Sequence, residues 1–282
     1  MSALLPHAPI NLSTRALCSM EGVNVEINTA GVAPTYCGLP PAPADLPVAW
    51  NGDWRLLLAL ALLAGTVRYT QRRGLFTAGW LALGVAFVSP LCALTVALFS
   101  ARAVHHLLLL TVAAPLLGAA FVQLGRHIAS GAALIATLVV LALWHVPAVY
   151  AQVWHSDAWY WGMQLALLLS ATAFWSRTFA VLRQARSSSE VLAALAQMGA
   201  LAGVMGLIGA VLTFAPRVLY PEHALAGLAY GLQPLQDQQL AGLLMWVPGF
   251  VPLAAIAAFA LRSAWHQAAQ NKETLAREVG AR

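Results

Sequence analysis

The sequence is short of charge. Only 9% of its 282 residues are Asp, Glu, Lys or Arg, against 60% hydrophobic, where a soluble domain would carry about a quarter charged. That shortage excludes a water-soluble globule and leaves a polytopic membrane protein. Lysine is rarer still. Lys272, near the C-terminal end, is the sole example, so no apolar run offers a lysine for a retinal Schiff base. The chain also lacks His-Glu-x-x-His, Gly-x-Ser-x-Gly and a phosphate-binding loop, which removes sequence support for intramembrane hydrolysis and nucleotide-driven pumping. Three cysteines are too few for a disulfide framework. Met1 to Gly22 contains no continuous apolar stretch of secretory-signal length, so the first span is expected to serve as the insertion signal. Met20 offers an alternative start.

What the chain does have is long apolar runs. Seven can be read, at approximately Trp54 to Thr70, Leu75 to Val88, Ala103 to Leu124, Ala129 to Leu143, Ala158 to Val181, Val191 to Phe214 and Leu240 to Leu261. Each approaches the ~20 residues that a helix needs to cross a ~30 Å hydrocarbon core. The reading is an all-α membrane bundle of seven transmembrane helices. The second and fourth runs are barely long enough, and the second stops at Ser89-Pro90, where proline ends or kinks a helix. Six spans are the alternative. Arg68, Arg72, Arg73, Arg126, Arg177, Arg183, Arg186, Arg262, Lys272, Arg277 and Arg282 fall on one side of such a bundle, against Arg15, Arg55, Arg102 and Arg217 on the other. The positive-inside rule then places the N-terminus outside and the C-terminus inside a multi-pass protein of the inner (plasma) membrane. The net charge of +5 follows from that asymmetry and gives no reason to expect nucleic acid.

Three regions follow: an exterior flexible tail over residues 1–50, Pro-rich at Pro40, Pro41, Pro43 and Pro47, a membrane domain over 51–265, and a cytoplasmic tail over 266–282. Cys18 and Cys37 both fall in the exterior tail, where a disulfide between them is permitted by compartment. Cys92, just after Pro90, reads as a small buried apolar residue.

With that orientation His105, His106, His145, His155 and His223 sit at exterior ends or loops, His127 and His266 on the cytoplasmic side, and His7 in the tail. Imidazole is a good ligand for copper or haem iron and a costly passenger in lipid. His105 and His106 open the third run just after Arg102. Helical neighbours diverge by ~100°, so one of the pair is expected to face the bundle, with Arg102 sharing a face with both. A fixed guanidinium there would repel a metal cation, whereas the alternative has these groups meeting lipid headgroups. His145, held between Trp144 and Pro147, is a functional candidate, against a structural hydrogen bond to a freed carbonyl. His155, among Tyr150, Trp154 and their neighbours, reads as interfacial.

Asp237-Gln238-Gln239 leads into the last run, which carries Met245-Trp246-Val247-Pro248-Gly249 and should bend at Pro248. Met245 lies on nearly the same helix face as Gln238, about 10 Å further in. Its thioether binds Cu(I) readily and is also ordinary core filler. Asp237 suits a helix N-terminus, where it can cap and meet the dipole without any ligand. Gly199, Gly203, Gly206 and Gly209 read as points of close helix packing.

Ser89-Pro90-Leu91, Leu98-Phe99-Ser100, His106-Leu107-Leu108-Leu109, Ala114-Pro115-Leu116-Leu117, Trp144-His145-x-Pro147, Phe174-Trp175, Leu219-Tyr220-Pro221 and the stretch Asp237 to Gly249, in that order, resemble the CtaG family, membrane proteins that assist assembly of caa3-type cytochrome c oxidase. The likeness covers about Trp50 to Trp265. It implies a seven-helix, non-enzymatic factor of the respiratory chain that handles copper on its way to the oxidase. Family members commonly read His-Met-x-Gln-His where this chain has Arg102 to His106, and carry a histidine pair where Tyr160 and Gln164 stand here. His106 and His145 keep their places. For the site, the resemblance implies a metallochaperone that binds Cu(I) transiently through His106 and His145, with Met245, His105 or Cys92 as third ligand, and presents it to the catalytic subunit. The implied partners are oxidase subunits, an exterior copper chaperone and membrane lipid. Two other classes stay open: a non-metal scaffold docking an oxidase subunit through Asp237, Gln238 and Gln239, and a bis-histidine haem protein using His106 and His145.

Overall fold

The computed structural model describes residues 16–20, 23–27, 35–185 and 187–280. Two strands, β1 (Ala16–Met20) and β2 (Val23–Ile27), pair antiparallel with Cys18 opposite Val25. They belong to a unit of their own, and the helical unit begins at Thr35.

Every apolar run is helical, with ends set by caps and prolines. Asp53 accepts from the Arg55 N–H at 2.9 Å and starts α1 (Trp54–Gly65), which continues only as a 3-10 turn over Thr66–Tyr69. Next come α2 (Arg73–Phe87) and α3 (Leu91–Ala97), which meet at 42° where Pro90 interrupts them. The central helix is α4 (Phe99–Leu107), a π-helical segment over Leu108–Ala113, and α5 (Ala114–Ala120). Then α6 (Ser130–Trp144) turns by 81° into Pro147–Trp154, whose first turn is α7 (Pro147–Tyr150). Ser156 and Ser187 cap the long helices α8 (Asp157–Gln184) and α9 (Ser188–Phe214). The chain finishes with α10 (Pro234–Trp246) and α11 (Phe250–Gly280), separated at Val247-Pro248-Gly249.

Among the described residues, four helices are long and apolar enough to cross a membrane: Phe99–Ala120, Asp157–Gln184, Ser188–Phe214 and Pro234–His266. Counting each bent pair as one span brings the number to six. The expectation of seven is therefore met only in part, because the run at Trp54 makes a helix of 12 residues, about 18 Å long at ~1.5 Å per residue.

The central helix owes its π turn to Pro115. In that register the partner of residue 115 is the carbonyl five residues back, and proline has no N–H to give. The freed Leu110 carbonyl accepts instead from Trp175 Nε1 on α8 at 2.9 Å. In lipid, where hydrophobic transfer gives no preference for helix-helix contact, association depends on close packing and such hydrogen bonds. Packing is close at several glycines, among them Gly118, where a Cβ would lie 2.7 Å from the Ser176 nitrogen, and Gly209, where it would lie 2.8 Å from the Gly242 oxygen. Gly206 also packs closely, against Phe250, whereas Gly199 and Gly203 face open space. The result surrounds α4 and α5 with α2, α3, α8 and α10.

Candidate functional site

The third run was expected to begin at Ala103, but α4 starts at Phe99 because another segment caps it. Leu98, at the cap position, offers no side chain. Asp237 on α10 reaches across, its Oδ2 accepting from Phe99 N at 2.6 Å and its Oδ1 from Ser100 N at 3.0 Å and Ser100 Oγ at 2.5 Å. The start of α10 has its own capping box in Gln233 and Gln236. Gln238 accepts from Leu219 N at 2.6 Å and donates to the Arg217 carbonyl at 3.2 Å, fixing the chain before Tyr220. Asp237 and Gln238 are buried and Gln239 partly so. The polar cluster expected as a docking surface thus has its first two members withdrawn into the fold, where unpaired helix-end donors require them.

One turn beyond that cap lies a cluster of buried polar and aromatic side chains, called the chamber below. Arg102, 2% exposed, has its guanidinium carbon 5.9 Å from the Tyr150 ring centre and 5.7 Å from that of Tyr160. Its Nε and Nη1 have no hydrogen-bond partner. Neither does either nitrogen of His105, nor His106 Nε2, Trp154 Nε1, either polar atom of Gln164, or His223 Nδ1. The Arg102 charge is felt at His105, His106, Tyr150, Tyr160 and His223, which makes these groups one electrostatic unit. Tyr150 and His223 Nε2 are hydrogen-bonded at 2.7 Å. Burial first, and the Arg102 charge second, push His223 down to about 3. Two cation–π contacts are worth about 2 kcal/mol each when desolvated, against a penalty of several kcal/mol for burying an ion. Those contacts and the nearby Tyr150 hydroxyl hold the guanidinium without a paired carboxylate among the described residues.

The expectation that only one of His105 and His106 would face inward is corrected: both are buried, because helices enclose α4 on several sides. Arg102 likewise turns inward rather than toward headgroups.

A strap from residues 35–53 closes one side of the chamber. Tyr36 stacks on Tyr160 at 4.8 Å and donates to Asp53 Oδ2 at 2.8 Å. Cys37 is disulfide-bonded to Cys92, with its Sγ 3.3 Å from the Tyr160 hydroxyl. Cys37 is therefore not available to Cys18, a pairing that the sequence left open and that involves a side chain outside the described residues. The bridge also corrects the reading of Cys92 as a lone apolar residue or soft ligand, since a bridged sulfur is no thiolate. The segment taken as free tail up to residue 50 is tied down from Thr35 by this bridge and by the Tyr230 hydroxyl donating to the Pro41 carbonyl at 2.9 Å.

His145 ends α6. Its Nδ1 lies 2.7 Å from the Leu141 carbonyl, which can only accept, so Nδ1 carries the proton and the neutral ring keeps the Nε2 lone pair free. The structural hydrogen bond is thus present and leaves one ligand atom over. His145 and His106 influence each other electrostatically. Met245 is buried in the core and His155 is exposed. Among the described residues, no three His, Cys, Asp or Glu side chains come together as a metal site.

Compared with protein-family models, the chain matches that of the cytochrome c oxidase caa3 assembly factor, Caa3_CtaG, over residues 57–128 and 129–267. The chain belongs to this family. No curated protein and no solved structure matches it. As a Caa3_CtaG protein it is a membrane-helical assembly factor for cytochrome c oxidase, with oxidase subunits as partners.

Of the positions at which this Caa3_CtaG chain was expected to depart from its relatives, Arg102, Tyr160 and Gln164 lie together in the chamber. Sequence reasoning did not bring Tyr36, Tyr150, Tyr160, Gln164 and His223 together. The available signal was a set of polar or aromatic residues at run ends, which specifies depth without specifying which helices adjoin.

Proposed function

We propose that this Caa3_CtaG protein binds Cu(I) transiently as cargo at His106 and His145 and presents it to the oxidase catalytic subunit. The observation that carries the reading is a pair of buried or partly buried imidazoles on different helices, His106 with an Nε2 that has no hydrogen-bond partner and His145 with its Nδ1 held by the Leu141 carbonyl, which leaves Nε2 as its ligand atom. Cu(I) tolerates two nitrogen ligands, and the buried Met245 on α10, a helix packed against α4, offers a soft thioether as a third. A leftover lone pair on a ring whose other nitrogen is held by a carbonyl is the usual arrangement of a metal-binding histidine. The Arg102 charge sits beside His106 and weakens the hold on a cation, which suits a carrier that must release what it binds. The role is delivery without turnover.

The topology that goes with this reading has the N-terminus and the chamber outside and the C-terminus inside the plasma membrane. The disulfide supports it, because Cys37–Cys92 belongs to the chamber end and disulfides persist in the oxidising exterior. The arginine asymmetry supports the same orientation. The test is the copper content of oxidase purified from cells carrying His106→Ala and His145→Ala. The reading expects oxidase depleted in copper, and a wild-type content in the double variant would sink it.

A further inference from the structure

We propose that Arg102 anchors a binding site for a small monovalent anion, of the halide class, enclosed within the chamber. A guanidinium can only donate, and Arg102 Nε and Nη1 make no well-aligned hydrogen bond; the Tyr150 hydroxyl is within reach of both Arg102 and Trp154, and that of Tyr160 within reach of Gln164. The protein supplies π faces from Tyr150 and Tyr160 but no carboxylate in an ion pair with Arg102 among the described residues. The nearest carboxylate by its effect is that of Glu222, which acts on Tyr150 and whose buried Oε2 has no hydrogen-bond partner. Buried polar groups in folded proteins are satisfied by protein, water or a bound ion, and only an anion offsets the charge as well as the hydrogen bonds.

Size follows from enclosure. Arg102 is 2% exposed, His105 0% and Gln164 1%, so a carboxylate carried on a partner protein is excluded, and the occupant proposed is a single small ion. The two tyrosine rings fix the guanidinium plane, and the Tyr36–Cys37 strap covers the site through Tyr160. The proposal rests on Arg102 and stands or falls independently of copper.

The experiment follows thermal unfolding of the full chain in mild detergent from 1 to 300 mM chloride, with gluconate holding ionic strength constant. For a dissociation constant near 10 mM, the folded-to-unfolded ratio rises ~30-fold and the midpoint by roughly 4 °C. Arg102→Met removes the cation and keeps the volume, so its midpoint is flat with chloride and lies above wild type at 1 mM. Arg183→Gln, an exposed arginine away from the chamber, keeps the full chloride response. Crystals grown in bromide give an anomalous peak beside Arg102. Equal midpoints in chloride and gluconate overturn the proposal, as does a chloride response that survives in Arg102→Met. If Arg102→Met does not fold, a bromide data set of wild type without a peak at Arg102 overturns it alone.

Discussion

Replacing Asp237 by Asn changes one oxygen for an amide and tests how α4 is held. The carboxylate accepts three hydrogen bonds, from Phe99 N, Ser100 N and Ser100 Oγ. Asparagine keeps one acceptor and turns an NH2 toward at least one donor. Leaving a buried donor unpaired costs about 1–3 kcal/mol, and losing a negative charge at a helix N-terminus adds about 0.5–1 kcal/mol. The expected loss is about 2–4 kcal/mol, which lowers the melting midpoint of a chain this size by roughly 4–12 °C. Ser100→Ala removes one hydroxyl and is expected to cost about 1 kcal/mol. The assay is tryptophan-detected thermal unfolding in mild detergent. An Asp237→Asn midpoint within ~1 °C of wild type, or a larger effect from Ser100→Ala, would refute the reasoning that a cap supplied by α10 sets the start of α4.

Further expectations concern the strap and the helix contacts. Cys37→Ser opens a loop closed by residues 55 apart, a loss of about 4 kcal/mol by chain entropy; free reactivity of both thiols in untreated protein would contradict the pairing. Asp53 is held below the usual carboxylate range by the Tyr36 hydroxyl first and the Arg55 N–H next. A depressed folded value gives stability that is present above the unfolded pKa of about 4 and lost as pH falls through the folded one. Reduction of Cys37–Cys92 by a phosphine should therefore accelerate below about pH 4 and lose that pH dependence in Tyr36→Phe; equal pH profiles would count against the strap. Gly242→Ala would drive a methyl into Thr213 and the Gly209 carbonyl and is expected to cost about 1–3 kcal/mol. Gly199→Ala, which meets nothing, is expected to be neutral or slightly stabilising, and midpoints that reverse this order would show that α9 and α10 pack differently.

Hydropathy carried the helices well, because a run of apolar residues specifies length and depth directly. Pro90, Pro147 and Pro248 marked the breaks between α2 and α3, after α6, and between α10 and α11. The first run failed as a full span because Thr66 to Tyr69 tighten into a 3-10 turn before the helix is long enough. Partners across the bundle were not legible. Asp237 was readable as a cap, but not as the cap of a helix that begins 138 residues earlier, since nothing local records which N-terminus lies opposite. The Cys37–Cys92 bridge was missed for the same reason: Cys37 was grouped with its neighbour in the tail, whereas the strap folds back over the start of α3. Arg102 was legible as a charge sharing a face with the histidines, but its inward direction depends on the Tyr150 and Tyr160 rings, which come from other segments.

The most direct test of copper delivery is a Cu(I) titration of the detergent-purified protein against a chromogenic chelator, with His106→Ala and His145→Ala alongside. The account predicts binding near one equivalent that either substitution abolishes. No competition with the chelator, or binding unchanged in both variants, would contradict it.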